Sequence, residues 1–599
     1  MPARVRARPS RLSISEALLL SSSSSPTSGA SWGSPSLTIR LPARLRIMQR
    51  PVRFSTGNTA RAGRFSWRSR FSVMNGGRKR ICVPGWPGKG VFPRGWWFGL
   101  QLLAAILLSG GLPADQPNIL LIVSEDNGPE LGCYGDPYAR TPNLDGLAAE
   151  GIRFNRAFVA QAGCSQSRAS ILTGLYPHQH GQIGLATWNF RLYAKGIPNL
   201  TRCLKGAGYR TGIIGKLHIN PASEFPFDFQ QITGANFARK DLGAYQEHAT
   251  SFITAGEAPF FLSVNYPDPH DPWLRQVGGL PRNPQTGADV RAMPYMGIDP
   301  PAMREMIADY YNCLSRLDSL VGDLLAALRK SGKENNTIVV YLGDHGADML
   351  RGKRTCYEGG VRIPLILRWP GRIRPQIREE LVSTIDLMPT LLAVAGAEPV
   401  PGLPGRDLRP LFAGPGEEWR QYLFTEYHTH SAHNYFPQRA VRCSRFKLIE
   451  SLLPGEEHPD YGPTFAKLVK EAGLSSKGPP LDPHAVVAAA AMEVREAYQR
   501  MRRPPRFELY DLESDPYEFR NLAGKPEYAA TLRILRQELR AWRSRTGDPL
   551  LKEENLRRLS GEVRSVKSKK AARKRPWRYP GYFFGENPAP AFRGKHPDR

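Results

Sequence analysis

Asn118-Ile119-Leu120-Leu121-Ile122-Val123-Ser124-Glu125-Asp126 runs five apolar residues together without a polar break and follows them at once with a hydroxyl and two carboxylates. An uninterrupted apolar run bounded by polar residues reads as a strand buried on both faces, the pattern of a parallel sheet. Glu125 and Asp126 then fall at the carboxyl end of that strand, the edge at which open α/β sheets bind ligands. A single carboxylate there would pass as a loop residue. Two adjacent ones make a metal site as good a reading as a surface loop.

The same grammar recurs along the chain. Residues 143–151 read as a helix stopped by Gly151, residues 154–159 as a short strand, and residues 200–208 as a helix stopped by Gly208. The strand at 209–214 precedes Lys216 and His218, the strand at 259–264 precedes Asp268 and His270, and the strand at 337–342 precedes Asp344 and His345. Residues 303–331 show helical periodicity, with Leu314, Leu317, Val321, Leu324, Leu325 and Leu328 on one face. Helix, strand, polar residues, repeated in this way, predicts a doubly wound α/β domain over residues 115–400 whose strand ends converge on one site.

Beyond the Pro/Gly-rich stretch at 398–408, strands are expected at 422–426, 439–442, 446–451 and 507–512, and helices at 483–501 and 528–542. These make a smaller α+β domain, residues 401–550. The basic, Pro/Gly/aromatic-rich residues 551–599 carry weak order signals and are expected to form a low-order tail. At the other end, residues 1–73 are rich in Arg and Ser without periodicity and read as disordered or untranslated. Residues 74–114 place Arg78-Lys79-Arg80 and Arg94 ahead of an apolar run at 96–108 and then small residues. That layout is an export signal, with a retained anchor or a buried helix as the rival readings, and the run falls short of the roughly 20 residues that span a bilayer. The expectation is an exported protein, periplasmic, lysosomal or extracellular according to host, with no stable membrane insertion after signal cleavage.

The formal charge of +28 is uneven. Residues 1–114 carry eighteen Lys/Arg against the single Glu16, and much of the remaining excess sits at 557–578. Charge gathered at the two ends of the chain does not make a nucleic-acid-binding domain, and no nucleic-acid partner is expected. The seven cysteines form no CxxC pair, which excludes a finger-type zinc site.

Cys164-Ser165-Gln166-Ser167-Arg168-Ala169-Ser170-Ile171-Leu172-Thr173-Gly174 puts a thiol, hydroxyls and a guanidinium at a helix start, where free backbone N–H groups and the helix dipole favour an anion and a reactive side chain. Alone, Cys164 would read as a core thiol. Its neighbours reverse that reading, because the stretch resembles the signature of the type I sulfatases, in which such a Cys is oxidised to formylglycine. Gln166 stands where that family usually has Pro or Ala. The resemblance extends over nearly all of residues 116–545. It is nearest the heparan N-sulfatase (sulfamidase) branch, on Arg210-Thr211-Gly212-Ile213-Ile214-Gly215-Lys216 with His218, Pro226-Phe227-Asp228-Phe229, Asp268-Pro269-His270, Glu508-Leu509-Tyr510-Asp511, Asp515-Pro516 and Asn521-Leu522.

The resemblance implies an alkaline-phosphatase-like large mixed sheet flanked by helices, with a smaller C-terminal α+β domain. It implies one calcium ion per chain held by Glu125, Asp126, Asp344, His345 and the modified Cys164. Glu125 replaces the usual Asp of the family, and His345 the Asn common in this branch. It further implies that the hydrated aldehyde at Cys164 is the nucleophile, that Arg168, Lys216 and Lys353 hold the sulfate oxygens, that His270 protonates the leaving atom, and that His218 accepts the proton released as sulfate is expelled. The implied partners are a sulfated carbohydrate, with N-sulfoglucosamine of heparan sulfate as the substrate suggested by the branch, and a formylglycine-generating enzyme. Two alternatives stay open: a catalytically silent relative that binds sulfated polyanions, and a phosphodiesterase or phosphonate hydrolase of the same superfamily. The pocket walls are expected near residues 185–195, 270–300 and 426–440, with His428, His430 and His433 either lining the pocket or lying on the surface.

Overall fold

The run at 118–124 forms the strand Asn118–Ser124, buried at every position. It lies between Thr337–Gly343 and Phe260–Asn265, both parallel to it. The computed structural model describes residues 116–585 apart from 194–195, 236–241, 415–417 and 472–482. The extension at 1–73 and the export-signal segment at 74–114 lie outside the described residues.

On one side Arg210–Gly215 and Phe229–Gln231 continue the parallel arrangement. On the other, Leu365–Arg368 pairs antiparallel with Thr337–Gly343 and is followed by Ile152–Phe154 and Gln376–Arg378, completing an eight-stranded mixed sheet. Strand alternation divides the core in two. Leu120, Ile122, Leu262 and Val264 face the long helix Arg304–Lys330, which presents Leu314, Leu317 and Val321 to them. Ile119, Leu121, Val123, Val340 and Leu342 face the other layer, with Leu200 and Leu204, Ile171 and Leu172, and Leu387 and Leu391 from three further helices. Each such side chain contributes roughly 1.5–3 kcal/mol of transfer free energy, so the two apolar faces hold the strand ends in fixed register.

A second sheet of four antiparallel strands, Leu423–Tyr427, Gln438–Arg442, Phe446–Ser451 and Phe507–Asp511, is covered by the helix Ala529–Arg545 through Leu535, Leu539 and Trp542. Trp542 stacks on Phe424 at 5.0 Å between ring centroids. The helix expected at 483–501 is two helices, Pro483–Ala488 and Met492–Arg502. The strand expected at 154–159 is two short pieces, Ile152–Phe154 and Ala157–Phe158, in different sheets.

The expectation of a low-order tail is corrected over residues 553–584. They form the helices Glu553–Arg564, Lys569–Lys574 and Tyr579–Phe584. The aromatic residues that made the composition look irregular are anchors: Trp577 and Tyr579 are buried with Trp188 and Phe190, and Phe190 stacks on Trp577 at 4.2 Å. The Trp577 indole N–H donates to the Trp188 carbonyl and the Tyr579 hydroxyl to the Gly181 carbonyl, at 2.9 and 2.6 Å.

Candidate active site

Four neighbouring strands of the large sheet end beside one another, and backbone hydrogen bonds tie the ends together. Glu125 N–H donates to the Asp268 carbonyl at 3.1 Å, and Asp344 N–H to the Ser124 carbonyl at 2.9 Å. Asp126, at φ 53°, is turned so that its own N–H donates to Asp344 Oδ1 at 2.9 Å. The left-handed backbone costs an ordinary L residue about 1–2 kcal/mol and persists only where the surroundings impose it. Here two consecutive carboxylates enter one buried cluster.

The helix Cys164–Thr173 starts at this edge after Gly163, and all ten of its residues are buried. Its Arg168 is four residues from Cys164, one turn on, and so shares a face with it. The guanidinium reaches Glu125 Oε1 at 2.6 Å, Asp344 Oδ2 at 3.2 Å and Asn265 Oδ1 at 2.6 Å. Lys216 Nζ lies 2.8 Å from Glu125 Oε2, and Lys353 Nζ lies 2.9 Å from Asp126 Oδ1. Burial alone would raise these carboxyls, but Arg168 and Lys216 hold Glu125 well below the usual carboxylate range, and Lys353 with His270 and His345 lowers Asp126. For the same reason Asp126 outweighs burial at Lys353 and keeps its ammonium charged.

Cys164 is 2% exposed, and its sulfur lies 3.4 Å from His345 Nε2. His345 Nδ1 is 2.9 Å from the Gly346 carbonyl, so Nδ1 carries the proton and Nε2 faces the cluster. Burial disfavours the imidazolium, yet Asp344 and the neighbouring Cys164 push His345 up to about 9. His270 is oriented likewise: its Nδ1 lies 2.6 Å from the Asp271 carbonyl, and Nε2 is 3.9 Å from Asp126 Oδ2. His218, at φ 57°, carries two buried ring nitrogens with no hydrogen-bond partner among the described residues. Burial first, then Lys216, hold it neutral, well below the usual imidazole range.

Every residue read from the strand ends and the helix start is therefore in one cluster: Glu125, Asp126, Cys164, Arg168, Lys216, His218, His270, Asp344, His345 and Lys353. The three loop histidines separate. His428 is buried against Glu426 at 3.4 Å and His430 is held neutral by burial and by Lys353 and Arg354, whereas His433 is exposed and meets Trp188 edge-on. Sequence reading missed Asn265, although a polar residue closing a buried strand was a usable signal. It also missed Asp348, Arg354, Asp460 and Lys467, which form an ion-pair chain beside His430 with Arg354 2.6 Å from Asp348 and 3.2 Å from Asp460. No spacing rule joins residues so far apart in the chain.

The donor set fits a divalent cation. One oxygen each of Glu125 and Asp126 lies within 4.8 Å of Cys164 Sγ and a His270 nitrogen, and Cys164, Asp344 and His345 form an overlapping group. Three buried carboxylates offer hard oxygens suited to calcium or magnesium, and the imidazole widens tolerance toward manganese.

Comparison with known proteins covers the stretch of chain that carries this cluster. The family described as "Sulfatase" matches residues 117–397, and the one described as "N-sulphoglucosamine sulphohydrolase, C-terminal" matches residues 343–458. The human N-sulphoglucosamine sulphohydrolase is 33% identical over 74% of this chain and 93% of its own length, and human arylsulfatase A is 32% identical over 70% and 86%. Among solved structures, a protein in complex with its substrate D-glucosamine-2-N,6-O-disulfate has a TM-score of 0.53 at 21% identity, covering 72% of this chain and 98% of that one. The phosphonate monoester hydrolase of Agrobacterium radiobacter has a TM-score of 0.53 at 20% identity, covering 72% and 96%. The fold is shared with both, and the relatives matched over most of their length place this chain in the sulfatase family.

Proposed function

We propose that this enzyme releases sulfate from a sulfated sugar, with N-sulfoglucosamine at the end of a heparan-type chain as its substrate, and that Cys164 acts as formylglycine. The observation that carries the reading is the charge balance around Cys164. Three cations (Arg168, Lys216, Lys353) are matched by three carboxylates (Glu125, Asp126, Asp344). A divalent cation held by Glu125, Asp126, Asp344, His345 and the modified Cys164 leaves the cavity positive, which suits a sulfate or sulfamate anion.

Bound there, calcium supplies Lewis-acid polarisation, and formylglycine supplies a hydroxyl nucleophile once hydrated. The chain's own groups do the rest. Lys216 and Lys353 turn toward the anion's oxygens, and Arg168, fixed by Asn265 as well as by two carboxylates, keeps its guanidinium at the foot of the site. His270 presents Nε2 to the leaving nitrogen or oxygen, with Nδ1 anchored on the Asp271 carbonyl. Neutral His218 takes up a proton within the cavity.

The test is sulfate release from N-sulfoglucosamine, 6-O-sulfated glucosamine, an aryl sulfate and a phosphonate monoester, on protein whose Cys164 peptide has been examined by mass spectrometry. Preference for the N-sulfated sugar is the expected result. Turnover of the phosphonate ester above every sulfate would replace this reading with the phosphonate hydrolase one. An intact thiol in protein from its native host would favour a silent polyanion-binding relative.

A further inference from the structure

The tail helices carry a feature that the catalytic cluster does not use. Residues 567–578 contain Lys567, Lys569, Lys570, Arg573, Lys574, Arg575 and Arg578 and no acidic residue. The neighbouring helix Glu553–Arg564 pairs its arginines, Arg557 with Glu553, Arg558 with Glu554 and Arg564 with Glu456. In 567–578 the cations have no carboxylate partner among the described residues, and six of the seven are exposed. Holding like charges together without counter-charges is unfavourable, and a cationic run left to itself spreads out as a mobile chain. Here the run is fixed instead, by Ala572, Trp577 and Tyr579 buried against Trp188 and Phe190.

Its anchor point is a turn that packs beside the start of the catalytic helix. Arg573 Nε donates to the Thr187 carbonyl at 3.3 Å, and Asn189 Nδ2 to the Arg575 carbonyl at 3.1 Å. In the same turn, Ala186 N–H donates to the hydroxyl of Ser165, the residue after Cys164, and Leu185 N–H donates to the His430 carbonyl, at 2.9 and 2.8 Å. One turn of chain thus joins the start of the catalytic helix to the unpaired cations.

We infer that residues 567–578 form an exosite for the sulfated sugar chain that extends from the residue in the catalytic cavity. This rests on the sulfated-sugar reading above and deepens it: the enzyme engages a polyanionic oligosaccharide more tightly than its terminal monosaccharide. Linear sulfated sugars present regularly spaced sulfates, and an array of lysine and arginine with no counter-charge of its own takes them up without first breaking ion pairs.

The test substitutes four exposed lysines whose side chains make no hydrogen bond or ion pair with another described residue, Lys567→Gln, Lys569→Gln, Lys570→Gln and Lys574→Gln together. Kinetics are measured on N-sulfoglucosamine and on a sulfated octasaccharide ending in that sugar. At about 0.05 M salt, where exposed charges are weakly screened, KM for the octasaccharide is expected to rise about tenfold or more with the monosaccharide constants unchanged. In wild type, raising salt to about 0.5 M should produce the same loss. Equal effects on both substrates, or none on the octasaccharide, overturn the exosite. Elution from immobilised heparin and from its chemically desulfated form is read independently of turnover. Earlier elution of the variant from heparin, with little retention of either protein on the desulfated form, supports the exosite even if no sulfated sugar is hydrolysed. Unchanged elution, or equal retention on duplex DNA, overturns it.

Discussion

Cys164 opens its helix, and Gly163 before it adopts extended backbone at φ −165°. Replacing Cys164 by Ala removes one buried sulfur and leaves Arg168, the carboxylates and the helix in place. The expected outcome is a turnover loss of at least about a thousandfold, with a circular-dichroism melting curve within a few degrees of wild type; appreciable residual activity would refute its role as nucleophile. Asp344 contributes differently, since its carboxylate receives both Asp126 N–H and Arg168. Asp344→Ala should weaken calcium binding by about a hundredfold or more, and calorimetry showing unchanged affinity would remove Asp344 from the ligand set. His218→Ala takes away a ring whose nitrogens bond to no described residue, so folding should hardly change. Its kcat should drop about a hundredfold or more with KM nearly constant, and a pure KM effect would make His218 a binding residue instead.

At the scale of elements, the short helix that follows the catalytic one is tied to the small sheet by a buried charge chain. His178, in the short helix Pro177–His180, lies 2.6 Å from Glu426 of the strand Leu423–Tyr427. Arg439 is 3.5 Å from Glu426 and pairs with Asp548 at 2.9 Å, and Arg543 joins Asp548 at 2.7 Å. Burial would raise both carboxyls, but His178 and Arg439 hold Glu426, and Arg439 holds Asp548, well below the usual range. A depressed folded-state pKa gives stability that is present above the unfolded value of about 4 and lost as pH falls below it. The melting temperature should therefore stay level from about pH 7 to about pH 5 as far as these groups are concerned, then fall. Asp548→Asn, by leaving Arg439 and Arg543 buried without their anion, should cost about 3–5 kcal/mol. A denaturant titration showing less than a quarter of that would mean that water reaches the arginines. This chain was illegible beforehand because its members lie 248 and 109 residues apart and obey no period. The strand ends were legible because a buried strand must be an apolar run, and whatever polar residue follows it is delivered to the sheet edge. Thus Glu125, Lys216, His270 and Asp344 could be placed from the local pattern, whereas Asn265, the last residue of its strand, lay just past the apolar run read at 259–264 and was passed over.

For the molecule as a whole, the tail packs on residues 183–190, beside the start of the catalytic helix, although the two lie far apart in sequence. Its helices are short and the segment as a whole is basic, which is why composition alone suggested low order; what orders them is tertiary, the burial of Trp577 and Tyr579 on a surface formed by Ile183, Trp188 and Phe190. Trp577→Ala would open a cavity there and lose the indole bond to the Trp188 carbonyl, costing about 3–5 kcal/mol by the usual scale of large-to-small core changes. Because the large sheet and its two apolar layers do not include this cluster, the loss should be local. Hydrogen exchange at 183–190 and 569–584 should accelerate together while the strand Asn118–Ser124 stays protected. The same turn joins Ser165 and His430, so loosening it should raise KM for a sugar substrate while leaving the chemistry of Cys164 intact. Exchange that accelerates in the tail alone would show that the 183–190 segment stands without it, and global loss of protection would show that the tail belongs to the cooperative core.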